Sequence, residues 1–294
     1  MSQHKEQQGF VTFAQNSAET DYLKLAYLQA LNIKATQKEN KYAVIVDKET
    51  SELVTDKHRR VFDYVIELQT DYSKTEVTNT TPAGKKFDNE WQVFWLTPFK
   101  ETIKLESDLL FTRSVDHWWT AFRLKNIVLS HGARTYADIG FRTGHYRKLW
   151  DANDFPDVYN GLMYFRYSQE SANFFSTASK VWHSWDRISR MLLKYTERED
   201  KPSTDVLYAM TAKIMGGDSC TIPSMDFINF VHMKSGAQGW SDSRSWIDTV
   251  MNERDGDVIR INNLNQYHPV HYYDKSYATD ELIEYYEQRI LGRV

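Results

Sequence analysis

Two acidic side chains one residue apart, Glu106 and Asp108, are the residues whose types and spacing point most directly to chemistry. They follow a β-prone run that begins at Glu101 and precede the apolar triplet Leu109–Phe111. In an extended strand, residues i and i+2 point the same way, so we expect both carboxylates to project from one edge. Paired carboxylates suit Mg²⁺ or Mn²⁺, above all a cation that also holds substrate phosphates. An exposed edge strand is the alternative, because so short a triplet is common.

The N-terminal part of the chain predicts a parallel βαβ arrangement that would position this pair. Strand, helix, strand and strand are expected over residues 9–14, 23–35, 41–47 and 62–68. The predicted fold class is therefore α/β, with a Rossmann-like, mixed and mainly parallel sheet flanked by helices. Ligands of such sheets bind outside the carboxyl ends of the strands. Ala14, Asp47 and Glu106–Asp108 lie at or near those ends, so we expect them to share one site.

The rest of the chain alternates between helix and strand patterns without a linker or an internal repeat, so we expect one domain over 1–294. Helices are predicted over 87–96, 170–193 and 206–214 and from 280, and strands over 101–111, 126–130, 162–168, 230–233 and 268–272. Ser168 is a good N-cap for the long helix, and Thr204-Asp205 is expected to cap the next one. Asn160-Gly161 is predicted to form a turn.

The composition is that of a globular protein with an unusual number of aromatic rings. Hydrophobic residues make up 41% of the chain and aromatic residues 14%, with nine Trp and eighteen Tyr, so we expect rings to line a cleft. The net charge of −4 argues against a protein that coats polyanions in general. One cysteine excludes an intrachain disulfide framework, and the polar N-terminus offers no signal peptide. A soluble, cytoplasmic protein is therefore expected.

Three motifs in order make the chain resemble a known family. They are the strand Val11–Ala14, the segment Trp91–Phe99 with its W-x-x-x-W-L-T-P-F pattern, and the acidic triplet Glu106-Ser107-Asp108. In this order they resemble the GT-A class of nucleotide-sugar glycosyltransferases, most nearly its family-8-like branch, from about Gly9 to His271. Compact, phage-encoded glycosyltransferases are among the proteins that the chain is similar to. Glu106 stands where the family usually has Asp and is still a carboxylate donor.

The resemblance implies a UDP-type sugar donor, a Mn²⁺ or Mg²⁺ ion and a division of the domain into two halves. Residues 9–125 would form the nucleotide-sugar half and 126–294 the acceptor half. Thr12, Phe13, Ala14 and Asp47 would belong to the nucleotide pocket. Asp108 would ligate the metal directly, and Glu106 would touch the metal or the ribose.

The family also places a histidine on a late strand, followed shortly by a lysine. Two segments match this pattern, His232 with Lys234 and His271 with Lys275. We favour His271 as the third metal ligand, with His232, Lys234 and Lys275 near the diphosphate or the acceptor. A packed, hydrogen-bonded histidine without a metal is the structural alternative for each.

Two further residues have roles that the resemblance implies. Asn160 corresponds to an Asn that meets the donor sugar, although an Asn-Gly pair forms turns without any ligand. Asp205 corresponds to an acidic residue that lies against the reacting sugar and acts as general base in inverting members. An Asp at a helix start is also an ordinary cap.

Basic residues concentrate in 57–60 and in 134–148, and the second segment contains Arg142, His145 and Arg147 between aromatic residues. Basic and aromatic residues mixed in one segment suit contact with a phosphate backbone and extruded bases. Since some phage enzymes glycosylate 5-hydroxymethylcytosine, hydroxymethylated DNA is a candidate acceptor. A sugar-phosphate clamp or a solvated surface would use the same residues, and capsular sugars, glycolipids and proteins stay open as acceptors.

Two other functions remain open. A sugar-phosphate nucleotidyltransferase uses a similar sheet and metal carboxylates, but it usually carries a Gly-rich basic loop after the first strand. Residues 14–20 contain no glycine and no basic residue, which disfavours this function. A non-catalytic carbohydrate- or nucleic-acid-binding module that keeps the fold is the second alternative.

Overall fold

The computed structural model describes residues 6–74, 86–140, 148–194, 201–220, 229–234 and 245–292. The strands are β1 (Glu6–Ala14), β2 (Tyr42–Val46), β3 (Tyr64–Glu67), β4 (Phe99–Leu105), β5 (Leu109–Leu110), β6 (Ile127–His131), β7 (Val158–Arg166), β8 (Val231–His232), β9 (Asn252–Asp255), β10 (Val258–Ile261), β11 (Leu264–Asn265) and β12 (Val270–His271). The helices are α1 (Tyr22–Thr36), α2 (Lys48–Ser51), α3 (Asp56–Arg59), α4 (Val93–Leu96), α5 (His117–Phe122), α6 (Lys148–Asn153), α7 (Gln169–His183), α8 (Trp185–Leu192), α9 (Thr204–Ile214), α10 (Trp246–Thr249) and α11 (Asp280–Ile290).

A six-stranded central sheet has the order β3-β2-β1-β4-β7-β6. The first four of these strands run parallel, β7 runs antiparallel to β4, and β6 runs antiparallel to β7. Phe10 of β1 lies beside Tyr42 on one side and Ile103 on the other, so β1 is central. The predicted α/β class with a mixed, mainly parallel sheet flanked by helices is confirmed.

Both faces of this sheet are covered. Along β2, Tyr42, Val44 and Val46 belong to a core shared with α1, α5 and α11, whereas Ala43 and Ile45 face a second core with α4, α7, α8 and α9. A strand buried on both faces reads as a continuous apolar run, which is why this strand was predictable from the sequence. The sheet therefore lies in the middle of a three-layer domain.

A small three-stranded sheet has the order β5-β12-β8. It joins the late strands β8 and β12 to β5, the short strand that follows β4. Leu109 pairs with His271 in antiparallel register, and His271 pairs with His232 in parallel register. Both late histidines are thereby brought beside the segment that follows β4. A separate antiparallel meander, β9-β10-β11, was not predicted.

The structure differs from the predictions for two strand segments. Residues 101–111 are not one strand, because β4 ends at Leu105 and a turn precedes β5. Asn160 and Gly161 form no turn and lie inside β7. Their turn propensity is overridden by tertiary bonds, since the Asn160 N–H donates to Asp205 and the Gly161 carbonyl accepts from the Glu106 N–H.

Two helical predictions also change. The helix expected over 170–193 is interrupted at Ser184, which separates α7 from α8, while Ser168 caps α7 by accepting from the Ser171 N–H, as predicted. Ser203, rather than Thr204-Asp205, caps α9 by accepting from the Val206 N–H. Asp205 therefore lies in the first turn, and its carboxylate is available for other contacts. Within the described ranges, no helix has the length and apolar character needed to cross a membrane.

Candidate functional site

A cleft of about 210 Å³ opens at the carboxyl ends of β1 and β4. It brings together most of the residues predicted for the site, namely Thr12, Phe13, Glu106, Asp108, Asn160, Asp205, His232, Lys234, His271 and Lys275. Residues from both predicted halves of the domain thus share one cleft. Of the strand-end residues that were expected to share a site, Glu106–Asp108 line the cleft, whereas Ala14 and Asp47 are not among the described residues that line it.

Other predicted residues lie elsewhere. Ala14 is buried at the end of β1, and buried Asp47 caps α2 by accepting from the Thr50 N–H; neither is among the described residues that line the cleft. Arg142, His145 and Arg147 lie outside the described residues.

Glu106, Asp108 and His271 converge on one point of the cleft. His271 Nε2 lies 2.9 Å from Asp108 Oδ2 and 3.1 Å from Glu106 Oε2. The Asp108 and His271 side chains are 5% and 7% exposed, and that of Glu106 is 23% exposed. Each residue offers one atom that could ligate a metal, and these three atoms lie within 4.8 Å of one another. The two carboxylates meet because of the turn at 106–108 rather than the extended strand that the spacing predicted.

Backbone bonds hold this turn from both sides. The Glu106 N–H donates to the Gly161 carbonyl at 3.1 Å, and the Tyr272 N–H donates to the Asp108 carbonyl at 3.0 Å. Because Tyr272 follows His271 directly, this bond to Asp108 also fixes the position of the His271 imidazole in the cleft. The turn is thus bonded on one side to β7 and on the other to the segment that follows β12.

Two buried amide side chains of α1, Gln29 and Asn32, bond the backbone between Glu106 and Phe111. Gln29 Nε2 donates to the carbonyls of Glu106 and Leu109 at 2.6 and 2.8 Å, and Asn32 bonds both backbone groups of Phe111. Sequence reasoning missed both. Their signal is a pair of amides at i and i+3 within 25–33, a stretch of α1 that is otherwise apolar, and this spacing places them on one face.

The two late histidines stack on each other. Their ring centroids are 4.7 Å apart at an interplanar angle of 19°, and His232 Nδ1 lies 2.8 Å from His271 Nδ1. His271 Nε2 therefore faces the carboxylates, whereas His232 lies behind it. A bond of this kind on the far nitrogen orients a metal-ligating imidazole and selects its tautomer.

Phe230 packs against this histidine pair and against Gly161. Its ring centroid is 5.9 Å from each of the His232 and His271 rings. A Cβ atom at position 161 would lie 2.8 Å from Phe230 Cζ. The absence of a side chain at Gly161 thus lets Phe230 support both imidazoles.

Two lysines bring positive charge to the same end of the cleft. The Lys275 ammonium bonds Asp108 Oδ2, and Lys234 and Lys275 each lie 5.6 Å from the centroid of the Tyr273 ring. Cation–π attraction to the Tyr273 ring therefore keeps both ammonium groups at this end of the cleft. Their charges suit an anionic ligand.

The pKa shifts follow from burial and mutual charge. For Asp108, burial alone raises the pKa, but His271 and Lys275 outweigh it and hold the pKa well below its ordinary value. Burial raises the pKa of Glu106, and Asp108 adds to this against the opposing charge of His271. Burial alone lowers the pKa of His271, but the charges of Asp108 and Glu106 raise it above its ordinary value. The three groups are therefore electrostatically interdependent.

The same three side chains fit a divalent cation. Around Mg²⁺, metal–ligand distances of about 2.1 Å in an octahedron put neighbouring ligand atoms about 3 Å apart. The His271–carboxylate separations of 2.9 and 3.1 Å match that spacing. Two carboxylates and one imidazole are also a donor set that Mn²⁺ accepts.

A second charged network lies beside this group. The fully buried Lys104 ammonium bonds Glu90 Oε2 and donates to Asn160 Oδ1 at 3.0 Å. Asn160 Nδ2 donates to Glu90 Oε2 at 2.6 Å and to Glu106 Oε1 at 3.3 Å. The Asn160 backbone N–H donates to Asp205 Oδ1 at 2.6 Å. Sequence reasoning missed Glu90 and Lys104, whose only signal was a lysine inside the apolar part of β4.

No protein-family model matches the chain, and no curated protein matches its sequence. Among solved structures, the galactosyltransferase LgtC with donor and acceptor sugar analogues is 12% identical, with a TM-score of 0.46 over 69% of this chain and 70% of that chain. Mouse xyloside xylosyltransferase 1 is 10% identical, with a TM-score of 0.45 over 72% of this chain and 83% of that one. The glycosyltransferase GlyE of Streptococcus pneumoniae TIGR4 is 10% identical, with a TM-score of 0.41 over 74% and 45%.

Proposed function

We propose that the protein is a metal-dependent glycosyltransferase that moves a sugar from a UDP-type donor to a hydroxyl acceptor. The observation that carries the proposal is the meeting of Glu106, Asp108 and His271 in a cleft where two lysines also lie. Converging carboxylates and an imidazole suit a cation, and the lysines suit phosphate oxygens. A nucleotide diphosphate is a ligand that requires both. The GT-A-like order of sequence motifs agrees with this reading.

The proposed cation would be held by Glu106, Asp108 and His271. When bound, it would stabilise the negative charge that a diphosphate leaving group develops as the glycosidic bond breaks. Lys275 and Lys234 would add positive charge on the same side of the leaving group. His232 would keep the His271 ring in place through the bond between their Nδ1 atoms.

The nucleoside would lie near the end of β1. Thr12 and Phe13 line the cleft there, and the Phe13 ring offers a face for a base. Gln15 also lines the cleft, and its Nε2 lies 3.5 Å from Asp47 Oδ2. Asp47 would therefore act on the nucleotide through Gln15, and Ala14 through its backbone position in the strand.

The transferred sugar would lie beside Asn160 and Asp205, which line the cleft next to Glu106. Asp205 Oδ1 is held by the Asn160 N–H, so its carboxylate has a fixed direction. In an inverting reaction this carboxylate would take the proton of the acceptor hydroxyl. In a retaining reaction it would orient the sugar.

Calorimetry with UDP tests the metal and donor parts of the proposal. UDP should bind in the presence of Mn²⁺ and lose most of its affinity when EDTA removes the metal. A UDP-sugar panel should then show release of UDP, first by slow hydrolysis and faster with an acceptor. Metal-independent UDP binding, or no binding at all, contradicts the proposal.

Two alternative functions give different products in the same assays. A nucleotidyltransferase would release pyrophosphate from UTP and a sugar 1-phosphate, which a transferase does not. A non-catalytic module would bind a UDP-sugar with Mn²⁺ but release no UDP with any acceptor.

For the acceptor we propose a hydroxyl group, with 5-hydroxymethylcytosine in DNA as the specific hypothesis raised by Arg142, His145 and Arg147. The test compares hydroxymethylated DNA with plain DNA across UDP-sugars. If DNA is the acceptor, the R142A/R147A double variant should bind it more weakly and with a shallower salt dependence. An unchanged salt dependence removes this hypothesis and leaves sugars, lipids and proteins as acceptors.

A further inference from the structure

The side of the cleft beside Asn160 presents hydrogen-bond acceptors and few donors. Glu106 separates it from the proposed metal site, because Oε2 faces His271 whereas Oε1 accepts from Asn160 Nδ2. Glu90 and Asp205 line the cleft on this side. Three carboxylates therefore surround Asn160.

The donors of Asn160 are already used inside the protein. A lysine only donates and a carboxylate only accepts, so the bonds to Lys104 and Glu90 fix the orientation of the amide. Nδ2 faces Glu90 and Glu106, and the backbone N–H faces Asp205. Asn160 has its hydrogen-bonding capacity directed at its neighbours rather than at a ligand.

The carboxylates each keep one oxygen for a ligand. Glu90 bonds Lys104 and Asn160 through Oε2 alone, and Asp205 bonds Asn160 through Oδ1 alone. In the part of the chain that the structure describes, Glu90 Oε1 and Asp205 Oδ2 accept no hydrogen bond. Lys104 is fully buried and does not line the cleft, so its charge lies behind Glu90. A ligand bound here must bring donors and no negative charge.

We infer that this side of the cleft selects a neutral hexose as the transferred sugar and rejects a hexuronic acid, with Glu90 as a specificity-determining residue. The inference rests on the proposed function and names its donor class. Ring hydroxyls of a neutral sugar can donate to Glu90 Oε1 and Asp205 Oδ2. A sugar carboxylate cannot donate, and it would meet two like charges in a recessed site where water screens them poorly.

Matched donor pairs test this on the native chain. UDP-glucose against UDP-glucuronic acid, and UDP-galactose against UDP-galacturonic acid, differ only at C6. With Mn²⁺ present, calorimetry should show the neutral member of at least one pair binding tenfold or more tightly than its acid. UDP alone is measured beside them. Equal affinities within both pairs, or tighter binding of the acids, overturn the inference.

Variants assign the selectivity to the carboxylates. Glu90→Gln should reduce the ratio of neutral to acidic donor affinity by at least threefold, and the exposed-surface control Glu284→Gln should leave the ratio at its native value. If Glu90→Gln does not fold, because Lys104 loses its partner, Asp205→Asn makes the same test without touching Lys104. A native ratio in a folded variant of Glu90 and in Asp205→Asn overturns their assignment.

The outcomes for this inference and for the proposed function differ. No binding of UDP itself with Mn²⁺ overturns the proposed function and this inference with it. Metal-dependent UDP binding without discrimination between neutral and acidic sugars overturns this inference alone.

Discussion

Two charged networks meet at Glu106, and they are built in opposite ways. The outer network consists of Glu106, Asp108, His271 and Lys275, and it lies on a turn, a two-residue strand and the 3₁₀ helix Lys275–Tyr277. The inner network consists of Lys104, Glu90 and Asn160, and two of these residues lie on long central strands. The outer network thus lies on short connecting elements, whereas two residues of the inner one lie within the central sheet.

The way in which charges are matched also differs. In the inner network the Lys104 and Glu90 side chains are 1% and 5% exposed, and Asn160 bonds both. In the outer network two carboxylates direct oxygens at one imidazole nitrogen. A buried pair with satisfied bonds is part of the framework, whereas carboxylates that converge on one point form an arrangement that a cation would complete.

The largest effect is expected from removing the inner cation. Lys104→Met leaves the Glu90 carboxylate buried without its partner, which costs about 3–5 kcal/mol of folding free energy. Urea unfolding followed by circular dichroism measures the loss. The double variant Lys104→Met/Glu90→Gln removes both charges and should recover a large part of it. A loss below about 1 kcal/mol in the single variant, the value of an exposed pair, would show that the inner network is not structural.

The matching change in the outer network should affect ligand binding more than stability. Asp108→Asn removes one proposed metal ligand and should weaken Mn²⁺-dependent UDP binding by more than about 100-fold, or roughly 2.7 kcal/mol. Its unfolding free energy should fall by less than that of Lys104→Met. The control Asp186→Asn changes an exposed carboxylate paired with Arg190 and should bind UDP as the native protein does. Native UDP affinity in Asp108→Asn would remove the basis for the metal site.

A smaller effect on metal affinity is expected from changing His232, which stacks on His271. His232→Ala removes the group that orients His271 and should weaken Mn²⁺ binding by about 10- to 100-fold, as is typical when the partner of a metal-bound histidine is lost. Calorimetric titration with Mn²⁺ measures this. His232→Asn, which can still bond His271 Nδ1, should recover part of the affinity. Equal losses of Mn²⁺ affinity in both variants would indicate that the His232 ring only packs against His271 and does not orient it.

The smallest effect is the pH dependence of metal affinity. The pKa of His271 lies above its ordinary 6.5, because Asp108 and Glu106 outweigh burial. A metal needs the neutral imidazole, so Mn²⁺ affinity should rise with pH from 6 upward by up to about tenfold per unit, until His271 is neutral. The folding stability of the metal-free protein changes in the opposite direction. Protonated His271 stabilises the folded state at low pH, and this contribution is lost as pH rises through the raised pKa of His271. A flat Mn²⁺ affinity between pH 6 and 8 would contradict this.

Local patterns in the sequence predicted the scaffold well. The order of β1, α1, β2 and β3 was visible because buried parallel strands read as apolar runs and the helix keeps its period. The acidic triplet was also visible, since two carboxylates after a strand are a local feature. The placement of His271 beside it needed the resemblance to a family, because no local signal relates residues so distant in the chain.

Features that depend on tertiary contacts were not predictable. Asn160-Gly161 has the composition of a turn, but bonds to Asp205 and Glu106 keep it in β7. Glu90 and Lys104 looked like an ordinary helix acid and a strand lysine, because their pairing depends on how the 3₁₀ helix Lys86–Gln92 packs on β4. Gln29 supports the 106–109 backbone across 77 residues of sequence. In each case a long-range bond overrides or adds to the local preference.

The pairing of β5 with β12 has a consequence for biosynthesis. It joins Asp108 to a segment that the ribosome makes much later, and the Lys275–Asp108 bond spans 167 residues. A nascent chain that has folded β1 to β4 carries both carboxylates but not the imidazole opposite them. The proposed metal centre would therefore assemble late, because its three ligands are not all present until His271 has been translated. Retention of the ion would thus distinguish finished molecules from incomplete ones.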